Sequence, residues 1–199
     1  MIAIVDYGVG NLFSLCSSFQ RIGVGATVTG DPCVIRAADK IVLPGVGAFG
    51  DAIRKLRETG LDKVITDEAR RGKDLMGICL GMQLLFEKSF EYGEHPGLGL
   101  IPGEIRPLAP LVDGLKVPHM GWNTITNLQT PLFKGLPQDP YFYYVHSFYA
   151  TIGKDTIAQT DYIHPYSAAL HKDNFYATQF HPEKSGDVGL AILKNFGEL

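Results

Sequence analysis

The first ninety residues constrain this chain most, because short apolar runs there alternate with stripes of helical period. Ile2–Val5 reads as a buried strand. Gly8-Val9-Gly10 turns the chain, and Asn11 stands as N-cap to a helix with Leu12, Leu15, Cys16, Phe19 and Ile22 on its apolar face. Ala26–Thr29 and Lys40–Leu43 read as the next two strands. A glycine-rich loop after Pro44 opens a helix carrying Phe49, Ala52, Ile53 and Leu56, stopped near Gly60; Leu61, Val64, Ile65 and Ala69 make another stripe, ending at Gly72. Leu75–Ile78 is a short buried strand, and Leu80–Phe90 reads as a helix. Strands alternating with helices of this length predict an α/β fold with a mostly parallel central sheet flanked by helices.

The second half is β-rich. Gly and Pro punctuate residues 93–118, with a short extended piece at Glu104–Pro107. Gly121–Thr126, Tyr141–Tyr149, Thr156–Tyr162, Ser167–Leu170 and Phe175–Phe180 are β-branched or aromatic runs, and Lys172-Asp173-Asn174 marks a hairpin turn between the last two. A closing helix spans Asp187–Phe196. No internal repeat or long linker divides the chain, so a single domain over residues 1–199 is expected.

Composition excludes several classes of function. Hydrophobic residues at 45% and charged residues at 20% describe a folded globular chain. Eighteen basic and twenty-one acidic side chains run in no blocks, so no nucleic-acid or membrane-surface footprint is present. No apolar run has the length of a membrane span, and the N-terminus lacks a signal peptide's features. Three cysteines, Cys16, Cys33 and Cys79, form no Cys-x-x-Cys pair. No disulfide framework, metal site or cofactor is expected, and the expected compartment is a reducing cytoplasm.

Three glycine loops compete for a functional meaning. Gly8-Val9-Gly10 is a turn, since Phe13 stands where a dinucleotide fingerprint needs its third glycine. Gly45-Val46-Gly47-Ala48-Phe49-Gly50 has the full G-x-G-x-x-G spacing. The strand after it ends in Gly77-Ile78-Cys79, however, without the carboxylate that would hold a ribose, so a dinucleotide-binding domain is the weaker reading. Gly77-Ile78-Cys79-Leu80-Gly81 carries the chemistry. A strand runs into a residue flanked by glycine at both ±2 positions, and then into a helix: a nucleophile elbow with cysteine in place of serine. The turn is too crowded for neighbouring β-carbons. It sets the Cys79 sulfur at a helix N-terminus, where the dipole favours a thiolate, and it aims the Leu80 N–H at a developing oxyanion.

A thiolate nucleophile needs a base, and the base needs a partner to orient it. Among six histidines, only His171 and His181 have a carboxylate two residues on, at Asp173 and Glu183. His171 falls at the hairpin turn. Pro182 forces His181 into extended backbone, which presents His181 and Glu183 to one side, so His181 is the expected base.

These motifs resemble those of the class I (triad) glutamine amidotransferases. Gly77-Ile78-Cys79-Leu80-Gly81-Met82-Gln83 matches that family's nucleophile segment, and Gln179-Phe180-His181-Pro182-Glu183 its His/Glu segment. Asp6–Leu12, Pro44–Gly50, Pro118–Asn123 and Tyr144–Ser147 extend the likeness along the chain, toward the branch formed by glutaminase subunits of imidazole glycerol phosphate synthases. The resemblance implies glutamine hydrolysis by Cys79, His181 and Glu183, with oxyanion donors at Leu80 and the Val46–Gly47 loop. It also implies glutamine contacts from Gly45, Gln83, Glu91, His146 and Ser147. The implied partner is a (β/α)8-barrel cyclase subunit that takes up the ammonia. Glycines on both sides of Val46 permit a peptide flip there, or serve only close packing on the Cys79 helix. Two further readings compete with this one: a triad glutaminase serving another ammonia acceptor, and a non-catalytic module of the same fold.

Overall fold

The computed structural model describes residues 1–108 and 114–199, so residues 109–113 of the Gly/Pro-punctuated stretch lie outside the described residues. The first part runs β1 (Ile2–Val5), α1 (Leu12–Arg21), β2 (Ala26–Thr29), α2 (Pro32–Ala37), β3 (Lys40–Gly45), α3 (Phe49–Glu58), α4 (Leu61–Arg70), β4 (Asp74–Cys79) and α5 (Leu80–Leu84). There follow β5 (Phe86–Ser89), β6 (His95–Pro96), β7 (Ile101–Pro107), β8 (His119–Thr124), β9 (Tyr141–His146) and β10 (Phe148–Ala150). β11 (Thr156–Tyr162), β12 (His164–Lys172), β13 (Phe175–Thr178) and α6 (Gly186–Glu198) complete the order.

Seven strands form the central sheet, ordered β11-β12-β13-β4-β3-β1-β2. The five from β13 to β2 are parallel, and β12 and β11 add antiparallel strands at one edge. The strand alternation is legible residue by residue. Ala3, Val5, Ile41 and Leu43 face Ile35, Phe49, Ile53 and Leu61 on one side. Ile2, Ile4, Val42 and Met76 face Leu15, Phe19, Ile192 and Phe196 on the other. The β-rich second half supplies β11, β12 and β13 to the central sheet and also builds most of a four-stranded sheet, β10-β7-β5-β6, and a ribbon, β8-β9.

Two expectations need correction, and one helix, α2, goes unforeseen. The predicted helix over Leu80–Phe90 stops at Leu84, and Phe86–Ser89 pairs as a strand. The carbonyls of Leu84, Leu85 and Phe86, which a longer helix would use internally, accept instead from the N–H groups of Leu98, Leu100 and Gly99. Tertiary pairing therefore overrides the local pattern. The aromatic run Tyr141–Tyr149 breaks at Ser147, and its halves join different sheets. α2 carries Pro32 at its start and Asp31 as N-cap, accepting from the Cys33 N–H at 2.7 Å; six residues are too few to show a periodic stripe.

The junction of β3, β4 and α5 sets the site. A β-carbon at Gly77 would lie 2.8 Å from Gly81 O and Met82 N, and one at Gly45 would lie 2.8 Å from Gly81 N. A β-carbon at Gly81 would overlap the Leu43 carbonyl. Gly77→Ala is expected to cost about 1–3 kcal/mol by overpacking, seen as a melting point lowered by roughly 2–12 °C. An unchanged melt would show that the crossing can relax.

Candidate active site

Cys79 ends β4 with φ 54° and ψ −110°, a backbone conformation a non-glycine residue holds only under strain. Its side chain is buried at 6% exposure, whereas Cys33 is exposed and Cys16 partly so. The elbow is as the glycine pattern predicts, but α5 behind it has only five residues. Its dipole is correspondingly small, so stabilisation of a thiolate falls to nearby donors and charges rather than to a long helix.

His181 lies across from the sulfur in extended backbone, at φ −99° and ψ 96°. Its N–H donates to Tyr143 O at 2.9 Å, and its carbonyl accepts from Ser185 Oγ at 2.6 Å, which anchors the segment to β9. Nδ1 donates to Glu183 Oε1 at 2.9 Å, and both side chains are 1% exposed. Burial works against charge on the ring. The Cys79 sulfur and the Glu183 carboxylate outweigh it and hold the His181 pKa up to about 10. Nε2 is buried with no hydrogen-bond partner among the described residues, which leaves it aimed at the sulfur and at whatever binds there.

The rival His171 is engaged elsewhere. Its Nε2 bonds the Asp173 backbone carbonyl at 2.7 Å, and its ring stacks on Tyr176.

A cavity of about 420 Å³ opens over the sulfur. Cys79, Leu80, His181, Val46, Gly47, Gln83, Glu91, His146 and Ser147 all line it, as do Pro118, Val145, Phe148 and Lys184. Two expected site residues lie behind it. Glu183 backs His181, and Gly45 packs against Gly81 and the Tyr7 hydroxyl. The two glycines beside Val46 therefore differ. Gly45 is there for close packing, whereas Gly47 holds φ +90° with open space around its Cα, and Val46 between them is 40% exposed.

Glu91 and His146 are more constrained than the sequence suggests. Glu91 Oε2 accepts from the Phe49 N–H at 2.5 Å, at the start of α3. A carboxylate thus sits where a pyrophosphate would dock, which disposes of the dinucleotide reading. Burial pushes the Glu91 carboxyl up, against the pull of the Phe49 N–H and His95. His146 has both ring nitrogens engaged, Nδ1 on Phe148 O at 2.8 Å and Nε2 on the Tyr166 hydroxyl at 2.9 Å.

Sequence reasoning misses two residues. Asn11 occupies the N-cap position of α1 but makes no cap bond there. Its Nδ2 reaches Glu183 Oε1 at 3.4 Å, and nothing local in the sequence signals a partner so distant. Gln179 is fully buried, with Nε2 3.8 Å from the Cys79 sulfur. Its spacing two residues before His181 on an extended segment is a usable signal.

Residues 3–198 match the family described as glutamine amidotransferase class-I. The chain belongs to that family. It is 50% identical to imidazole glycerol phosphate synthase subunit HisH of Sulfurimonas denitrificans, over 98% of this chain and 97% of the relative. It is 49% identical to the protein of the same name from Bacteroides fragilis, over 100% and 99%. A solved glutamine amidotransferase superposes with a TM-score of 0.76 at 18% identity, covering 99% of this chain and 100% of that one, and shares the class I amidotransferase fold.

The charged state of His181 is testable. With its pKa raised above the ordinary 6.5, the imidazolium persists through neutral pH and is lost as pH rises toward about 10. Glu183→Gln removes one of the charges that raise it. The His181 titration, followed by NMR of labelled imidazole, is therefore expected to move to lower pH. A midpoint that stays put would show Glu183 to be electrostatically idle.

Proposed function

We propose that this chain is the glutaminase subunit of an imidazole glycerol phosphate synthase, serving histidine biosynthesis. The observation that carries the reading is the strained Cys79 facing His181 across one cavity, with Glu183 bonded behind the ring. Family membership and near-50% identity to full-length relatives of that name support it. The same reading places the chain in the cytoplasm, where a nucleophilic thiol stays reduced.

The Cys79 thiolate attacks the side-chain amide carbon of L-glutamine. Leu80 N–H and an N–H of the Val46–Gly47 loop stabilise the oxyanion. His181 Nε2 gives its proton to the departing amine as the C–N bond breaks, leaving ammonia and a γ-glutamyl thioester. His181, now neutral, takes a proton from water. The hydroxide displaces the sulfur to give glutamate, and the thiolate–imidazolium pair is restored. Glu183 holds the ring and its charge throughout. Gln83, Glu91 and the backbone at His146–Ser147 hold the glutamine, since the His146 ring nitrogens are already engaged.

The ammonia acceptor belongs to a (β/α)8-barrel cyclase subunit, which docks on the β8–β9 ribbon. Val145 and His146 of β9 line the cavity, while the same ribbon leaves Met120, Trp122 and Tyr141 more than half exposed, at 63%, 56% and 59%. An apolar face of this kind, continuous with the site, suits a partner that must receive ammonia without losing it to solvent.

Cys79→Ala is expected to abolish glutamate release and labelling by a glutamine-like electrophile. Equal labelling of Cys16 or Cys33, or a fully active variant, would sink the assignment. His181→Ala removes proton transfer, about a 10²–10⁴-fold effect, and Glu183→Gln is milder. In both, ammonia added to the complex should still support imidazole glycerol phosphate synthesis. No synthesis with added ammonia points to another acceptor or a broken interface.

The freedom at Gly47 implies gating of the oxyanion N–H by the partner. Glutamate release should rise about 10²–10³-fold from the isolated chain to the complex with cyclase ligand. An isolated chain already at the higher rate would show the loop to be fixed.

A further inference from the structure

A buried set of polar side chains beside the site has no part in the triad chemistry. Tyr166, on β12, places its hydroxyl 2.9 Å from His119 Nδ1 and 2.9 Å from His146 Nε2. His146 Nδ1 meets the Phe148 carbonyl at 2.8 Å. The same carbonyl lies 2.9 Å from Gln83 Nε2, which also lies 3.1 Å from Gln179 Oε1. Gln179 Nε2 then faces the Cys79 sulfur at 3.8 Å.

One atom orders the whole set. A backbone carbonyl only accepts, so both groups meeting the Phe148 oxygen donate to it. The Gln83 atom there is its NH₂, and the second hydrogen of that NH₂ needs an acceptor, which makes the facing Gln179 atom the oxygen. The other end of the Gln179 amide is then its NH₂, aimed at the sulfur. On the other branch, His146 carries its hydrogen on Nδ1, so Nε2 accepts from the Tyr166 hydroxyl. The Tyr166 oxygen in turn accepts from His119 Nδ1–H. Every orientation follows from the carbonyl, and none is open to a flip.

We propose that Gln179 is a catalytic residue that donates a hydrogen bond to the Cys79 thiolate, and that Gln83, oriented by the Phe148 carbonyl, is the positioning residue that keeps its amide the right way round. The proposal rests on Cys79 as nucleophile. An N–H donor opposite the imidazolium gives the thiolate a second stabilising contact, which the short α5 does not supply. Burial keeps the relay neutral. It holds His146 down at about 3 and His119 at about 4, and it pushes the Tyr166 phenol well up. Tyr7, the other phenol facing the sulfur, is likewise pushed up by burial. That leaves His181 with Glu183 as the charged pair at the sulfur, with Lys184 and Glu91 on the wall of the cavity.

The test is the pH dependence of Cys79 alkylation by iodoacetamide, read peptide by peptide in the full chain, with the exposed Cys33 as internal reference. Gln179→Met keeps the volume and removes the donor, so the pH of half-maximal alkylation of Cys79 should move up by about one pH unit. Gln83→Met leaves the donor but frees the Gln179 amide to turn, and should move the midpoint the same way by less. A purely structural role would lower the melting temperature of either variant and leave the midpoint in place. That result in Gln179→Met, or in Gln83→Met should the first variant not fold, overturns the inference. If Cys79 of the unsubstituted chain reacts no more readily than Cys33, the nucleophile reading fails and takes this one with it.

Discussion

The site depends on how closely α5 lies against the ends of β3 and β4. Gly45, Gly77 and Gly81 meet at that crossing, and a β-carbon at any of them would strike backbone or a packed side chain. The closeness forces the chain to reverse within one residue, and that residue is Cys79 at φ 54°. A looser crossing would let the elbow relax, and the sulfur would sink back toward the sheet. The strain at Cys79 is thus held in place by packing across three elements, most of it apolar and buried on both faces of the sheet.

The histidines around the cavity divide by what stands next to them. His181 has the Glu183 carboxylate on one side and the sulfur on the other, and these outweigh the cost of burying its charge. His119 and His146 are buried among aromatic rings with only neutral partners, and their charged forms are suppressed. A charged ring and two neutral rings therefore share a small volume at neutral pH without competing for the same proton.

The motifs that act on local backbone are legible in the sequence. The glycines around Cys79 state a steric requirement, and Pro182 between His181 and Glu183 states a backbone direction. Both show in the local residue pattern, although the glycines also answer to β3 lying close by. The helix over Leu80–Phe90 does not form in full because its carbonyls are taken by the loop at Leu98, Gly99 and Leu100, more than ten residues later. Asn11 has the place of a local cap, yet it faces a glutamate 172 positions away. The buried runs of β1, β3, β4 and β13 mark them as inner strands, whereas the buried relay joins residues whose spacing carries no period at all.

The Phe148 carbonyl has a consequence for how this site can change. It is a main-chain atom, present whatever side chain stands at position 148, and both its lone pairs are taken, by Gln83 and His146. The polarity of the surrounding amide and rings is therefore written into the backbone path between β9 and β10 rather than into any one codon. Substitutions at 148 are free to alter the cavity wall, while the direction in which hydrogen bonds run toward the sulfur stays as it is.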